Sequence, residues 1–198
     1  MIEPKHTPDQ GKGRLSTVGR QFFNLIEFDE NEELLLEVRK HPFGLLIIVF
    51  TSAIISFTVL ASSFILASTS IMSDIGLAGQ ERFVALFGFI FAVLIFLVTG
   101  VYAQLYRSNV VYITNEKVAQ VLYITIFNRK ISQLNIGDIQ DVTVSQRGFF
   151  AQALKYGTLV IESAGEQQNY TFSFVPNPQE AAKTIITAHE ANLKRFGN

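Results

Sequence analysis

Two long uncharged apolar runs constrain this chain more than anything else in it. Phe43 to Ala67 reads FGLLIIVFTSAIISFTVLASSFILA, and Phe83 to Tyr106 reads FVALFGFIFAVLIFLVTGVYAQLY. At 1.5 Å per residue the first makes a helix roughly 37 Å long, enough to cross a hydrocarbon core of about 30 Å with tilt. Each run holds fifteen Leu, Ile, Val or Phe. That composition favours insertion by on the order of 5 to 9 kcal/mol before polar costs. A chain of 198 residues has no soluble domain large enough to hide two such helices. Both are expected to be transmembrane, over 43–67 and 83–106, joined by an extracytoplasmic loop at 68–82. The first run starts too far along the chain, and is too long, for a signal peptide.

The charges surround these runs. Residues 1–42 carry 6 Lys/Arg and 8 Asp/Glu, residues 43–106 one Arg and two acids, and residues 107–198 nine Lys/Arg and seven acids. Arg39 and Lys40 precede the first run, Arg107 and Lys117 follow the second, and the connector has Arg82 alone. The positive-inside rule therefore places both termini in the cytoplasm, in a multi-pass protein of the cell (inner) membrane. Neither run contains Asp, Glu, Lys, Arg or His, which argues against a pump or ion pathway. A net charge of −1 lacks the basic footprint of a nucleic-acid binder. With no Cys, disulfides and thiolate sites are excluded.

Six hydroxyls in the first run, Thr51, Ser52, Ser56, Thr58, Ser62 and Ser63, fall within roughly 140° of the helical wheel. They either bond back to their own helix or meet the small-residue face Ala85, Gly88 and Ala92 of the second run. The second reading makes Ser52, Ser56, Ser63, Ala85, Gly88 and Ala92 helix–helix contacts.

From Asn109 onward the pattern changes to short β-rich runs between turn signals: 109–114, 117–124, 125–131, 132–136, 139–146, 158–164 and 168–174. Seven strands at this spacing suggest an antiparallel barrel or sandwich. Asn177, Pro178 and Glu180 form a helix start. Residues 178–196 follow as an amphipathic helix with Ile185, Ile186, His189, Leu193 and Phe196 on one face. Residues 1–27 read as a disordered tail and 28–42 as a juxtamembrane lead-in. Within them Phe22, Phe23, Leu25, Ile26 and Phe28 form an apolar cluster, which lies on the membrane or packs on the barrel. Leu34, Leu36 and Val38 fit a short strand, and Glu32-Glu33 reads as a solvated turn or an N-cap region.

The stretch NIGDIQDVTVSQRGFFAQALKYGTLVIESAG (135–165) resembles the bacterial pleckstrin-homology-like domain family, second type. Ile136, Ile139, Asp141 and Val142 match its first strand, and Gly148, Leu154, Tyr156, Gly157, Thr158 and Leu159 match the following loop and strand. The acidic lead-in FDENEELLLEVRKHP (28–42) before two spans is also similar to the membrane-anchored members. The resemblance covers about residues 28–195. It implies a transmembrane hairpin followed by a seven-stranded PH-like barrel over 107–198 with a C-terminal capping helix, non-enzymatic and held at the cytoplasmic face. Unlike phosphoinositide-binding PH domains, the hairpin Thr114-Asn115-Glu116-Lys117 offers one base and one acid, too few donors for an inositol-phosphate pocket.

No catalytic spacing, metal-ligand cluster or cofactor motif is present, and no enzyme is expected. The surface candidates are Arg129, Lys130, Arg147, Phe149 and Phe150: bases beside aromatics, suited to membrane lipid or a protein partner. Alternatively Phe149 and Phe150 close one end of the barrel. The sequence thus reads as a membrane-anchored binding or scaffolding module. The alternative is a subunit of a homo-oligomeric membrane assembly or pore.

Overall fold

A computed structural model describes residues 15–23, 25–26, 28, 32–163 and 169–196. The chain divides into two compact units: Met1–His41 together with Leu105–Asn198, and Pro42–Gln104.

The first unit contains the sheets. β1 (Leu34–Arg39), β2 (Val110–Thr114), β3 (Lys117–Tyr123) and β4 (Arg129–Asn135) form a four-stranded antiparallel sheet in that order. β5 (Ile139–Ser145), β6 (Tyr156–Ser163) and β7 (Tyr170–Pro176) form a second, three-stranded one. The expected closed barrel is therefore two open sheets, joined through the 3-10 turn Ile136–Asp138. The strand count also has a different origin. The runs expected at 125–131 and 132–136 are one strand, β4. The loop before it is pinned by the Ile124 and Thr125 N–H groups on the Asn128 carbonyl. The seventh strand is β1, drawn from the lead-in across the whole apolar insertion.

The inner faces of both sheets meet over Val111, Ile113, Val118, Ile136, Leu159, Ile161 and Phe172. Helix α6 (Pro178–Phe196) covers this core with Ala181, Ala182, Ile185 and Ala188. Small residues let it lie close to the sheets, so Ile186 and Leu193, expected inside, are exposed. The Phe196 side chain lies outside the described residues. The left-handed Asn177 (φ 43°) starts this helix, its carbonyl accepting from the Glu180 and Ala181 N–H groups. The His189 ring nitrogen meets the Ile136 carbonyl at 2.7 Å.

β2 is buried at all five positions, because its other face is covered too. Leu15, Phe22, Phe23, Ile26 and Phe28 pack there against Val110, Tyr112, Ala119 and Val121. α1 (Thr17–Phe23) belongs to this cover. A disordered tail through residue 27 is thus not what residues 15–23 form; residues 1–14 lie outside the described part. Enough aromatic surface is removed from water here to order a short polar-flanked segment.

The second unit contains α2 (Pro42–Leu66), α3 (Thr69–Asp74) and α4 (Glu81–Arg107) up to Gln104. α2 and α4 are each long and apolar enough to cross a membrane, with mean hydropathies of 2.5 and 2.8. Only 6% and 11% of these windows is buried within the chain. They approach closely at Gly88, where a Cβ would strike the Ser63 side chain. Gly88 and Ala92 are buried and Ser52, Ser56 and Ser63 half-buried. Ala85 is exposed, contrary to its expected place on the contact. The inward stripe of α4 runs through Val84, Gly88, Ala92, Ile95 and Thr99, at steps of three and four residues. The hydroxyls of Thr51, Ser52, Thr58 and Thr99 donate to carbonyls of their own helices. Away from the close approach a cleft of about 370 Å³ opens, lined by residues including Ile48, Ser52, Phe91, Ile95 and Thr99.

Candidate functional site

Strand register fixes which residues share an end of the first unit. Arg39 pairs with Val110, Val110 with Val121, and Tyr123 with Arg129. The end of β1, the start of β2 and the β3–β4 loop therefore lie together. The second sheet joins them where the His41 N–H donates to the Phe174 carbonyl at 2.6 Å. Tyr156 pairs with Pro176, and Ser145 with Thr158, which brings the 146–155 loop to the same end. The chain leaves this unit after His41 and re-enters it at Leu105, so this rim is where the apolar helices attach.

An aromatic seam holds the rim. Tyr156 and Phe174 stack at 5.4 Å, Tyr106 meets Phe174 edge-on at 6.2 Å, and His41 lies 5.3 Å from Tyr156. The Tyr106 hydroxyl donates to the His41 carbonyl at 2.7 Å. Phe174 is held left-handed (φ 58°), a strain that the stacking and the backbone bond offset. The Lys40 ammonium sits 5.2 Å above the Tyr106 ring, and burial lowers its pKa. Lys40 also lines a cavity of about 210 Å³ with Val38, Asn109, Gln120, Leu122 and Phe172.

Beyond the seam, apolar side chains stand in solvent. Phe127 is 98% exposed, Phe149 78% and Phe150 59%, with Ile124 and Ile126 also exposed. Phe149 and Phe150 therefore do not close the end of the sandwich. They touch each other edge-on at 5.7 Å on the short helix α5 (Phe149–Ala153). Gln146 organises that loop, donating to the Tyr156 carbonyl at 3.1 Å and accepting from Gln179. Gly148 takes φ 93°, and a Cβ on Gly157 would crowd the Ser145 carbonyl and Pro178; this explains the Tyr-Gly-Thr run physically. Arg39, Arg107, Arg129, Lys130, Arg147 and Lys155 are exposed around these rings. Glu180, in the first turn of α6, is the acid among the described residues of this rim.

The opposite end has another character. Glu33, Glu116, Asp138, Asp141 and Glu162 lie on its strand ends and turns. Glu32, expected in a solvated turn, is buried: its carboxylate accepts from the Thr114 hydroxyl at 2.6 Å and pairs with Lys117 at 2.9 Å. The base of the 114–117 hairpin is thus committed inside the fold. Backbone bonds tie Asn115 to Glu33 and Ile136 to Glu116.

The structure brings Arg129 and Lys130 to the same end as Arg147, Phe149 and Phe150, although they belong to different sheets. Sequence reasoning missed Ile124, Ile126, Phe127, Lys40 and Gln146. The Ile-x-Ile-Phe run read as strand, and its apolar tip beside two bases was the available signal. Among the described residues no group of three or more His, Asp or Glu is placed to hold a metal ion.

A family model described as a bacterial PH domain matches residues 35–189. A solved structure, that of a DUF1696 family protein with a pleckstrin-homology domain from Shewanella loihica PV-4, is similar at 14% identity. It covers 41% of this chain and 70% of that one, with a TM-score of 0.34. No curated protein matches.

Proposed function

This chain belongs to the bacterial PH domain family, and from that premise we propose that it is a binding and scaffolding module anchored in a membrane by α2 and α4. Its basic and aromatic rim meets the cytoplasmic leaflet, and the remaining surface is open to protein partners. The observation that carries this reading is the coincidence at one end of three things: the attachment of two apolar helices, exposed Phe and Ile tips, and the exposed bases. Anionic headgroups attract such bases by about 1 kcal/mol apiece near the surface, and aromatic tips partition into the interface. Connectivity supports the topology. β1 and β2 are antiparallel neighbours, so an insertion between them returns to the end it left, and a membrane crossed once is crossed twice. Both termini then lie on one side, with 68–82 on the other.

Because the chain lacks Cys, single-cysteine labelling tests this cleanly. Ser70→Cys is expected to react with an impermeant maleimide in intact cells, and Ser132→Cys only after lysis. The opposite pattern refutes the topology. The chain also lacks Trp, so Phe127→Trp reports contact: brominated lipid is expected to quench its fluorescence, and no quenching refutes the rim assignment. A second reading, assembly of hairpins into a homo-oligomer, is favoured by the apolar cleft between α2 and α4, which a neighbouring helix fits. Crosslinking in native membranes to one discrete oligomer would support it.

A further inference from the structure

The two sheets do not meet equally along their two sides. On one side they are joined through the 136–138 turn. On the other the edge strands β1 and β7 face each other, tied by the His41 N–H on the Phe174 carbonyl. The cavity of about 210 Å³ runs along this second side, between residues 38–40 and 171–175. Val38, Val111, Leu122 and Phe172 wall it, and three of these, Val38, Val111 and Phe172, belong to the buried core. Its volume lies below the roughly 300–1,000 Å³ that holds drug-sized ligands, so an occupant is a small molecule.

Two donors reach into this space from neighbouring strands. The register that pairs Val38 with Val111 and Arg39 with Val110 brings the next residues, Lys40 and Asn109, alongside each other at the rim end of the cavity. Asn109 is 7% exposed. Its amide oxygen accepts from the Tyr123 N–H at 2.7 Å, while its Nδ2 has no acceptor among the described residues. That donor is not sealed in the core; it borders the cavity. An almost buried donor without an acceptor weakens a fold unless something else supplies one. Lys40 adds charge: its ammonium lies 5.2 Å above the Tyr106 ring, and no carboxylate lines the cavity to balance it. Gln120, half-buried beside Val111, contributes a neutral amide deeper in. We propose that this cavity is a binding site for a small organic anion. A carboxylate or phosphate head accepts from the Lys40 Nζ and the Asn109 Nδ2, and a short acyl body lies against Val38, Val111 and Phe172. Such a head makes charge-assisted hydrogen bonds and supplies the acceptor that Asn109 lacks. The site lies inside the sheet unit and needs no bilayer, so it stands or falls apart from the membrane reading.

The test holds the full chain in phosphatidylcholine nanodiscs and reads equilibrium dialysis of radiolabelled octanoate and octyl phosphate against empty nanodiscs. At least one of the two is expected to bind saturably, one per chain, and about tenfold or more tightly than octanol, which has the tail without the charge. Tighter binding of octyl phosphate assigns the head to a phosphorylated amphiphile, and tighter binding of octanoate to a free carboxylate; either supports the site. Lys40→Met should weaken binding of the anion about tenfold or more and leave octanol unaffected. Asn109→Asp keeps the acceptor for the Tyr123 N–H but gives Lys40 an internal counter-charge, and should also weaken the anion about tenfold or more. Circular dichroism checks that each variant is folded, and the two variants test the site independently. The proposal is overturned if neither anion binds saturably above empty nanodiscs, if octanol binds as tightly, or if a folded variant binds the anion as the parent does.

Discussion

The two ends of the sheet unit solve opposite problems with the same strands. At the far end, polar groups turn inward and are matched: Glu32 holds Lys117 and Thr114, and the Asn115 amide oxygen accepts from the Glu33 N–H at 2.8 Å. At the rim, the rings of Phe127, Phe149 and Phe150 and the bases Arg129, Lys130 and Arg147 turn outward and stay exposed. Burying a carboxylate is tolerable only with a fitted counter-charge, so the far end is fixed by stability. An almost fully exposed Phe127 contributes little to folding, so the rim is free to serve contact. Placement, and not residue type alone, separates the two ends: Lys117 and Lys130 are both lysines on one sheet, yet Lys117 is paired with Glu32 and Lys130 is exposed.

The sharpest way to break this comparison is at Glu32. Glu32→Ala removes the acceptor of the Thr114 hydroxyl and the carboxylate paired with the half-buried Lys117, and should cost about 1–3 kcal/mol in denaturant unfolding of the detergent-solubilised chain. Phe127→Ser, at the rim, should change stability by less than about 0.5 kcal/mol. Equal effects would dissolve the distinction. Neutralising the rim with Arg129→Gln, Lys130→Gln and Arg147→Gln together should remove about 3 kcal/mol of attraction to an anionic leaflet. The readout is lipid quenching in the Phe127→Trp background, with a salt dependence that the parent shows and the triple variant loses. Unfolding of the triple variant should be unchanged.

The smallest effect concerns Lys40. Burial favours its neutral form, so carrying the proton costs stability below the ordinary lysine pKa of 10.5 and costs nothing above it. Lys40→Met should therefore gain a few tenths of a kcal/mol at neutral pH, after allowance for solvent screening. The gain should fade as pH rises from the lowered pKa toward 10.5 and be absent above it. A loss at neutral pH would mean that the Tyr106 ring outweighs desolvation, and that Lys40 belongs with the stabilising groups.

What could be read from the sequence followed from locality. The apolar runs of α2 and α4 carry their own evidence, and β5 to β7 are bounded by Gly, Pro and Asn that mark turns wherever they fall. Size and spacing put Ala85, Gly88 and Ala92 on one face of α4; the structure buries Gly88 and Ala92 and exposes Ala85. The misses came from partners distant in the chain. Nothing near Leu34 reveals that its strand pairs with β2 across the insertion, and Glu32 looks solvated until Lys117 is folded against it. β2 is nearly unbroken in its apolar run, as expected of a strand covered on both faces, and the cluster Phe22, Phe23, Leu25, Ile26 and Phe28 was legible as apolar, but not whether it would lie on a membrane or on the sheet. At the 124–128 loop, high β propensity favoured a strand, and three backbone bonds to Thr125 and Asn128 overrode it.

The insertion between β1 and β2 also sets an order of events during synthesis. β1 leaves the ribosome early, yet its partner strand emerges only after residues 40–109 have been made. For that interval the first strand has an unsatisfied edge, and the β1–β2 ladder cannot form until the whole insertion has been made. Pairing of this sheet is thus a late event in synthesis, and a chain stalled within the insertion carries one strand of the four.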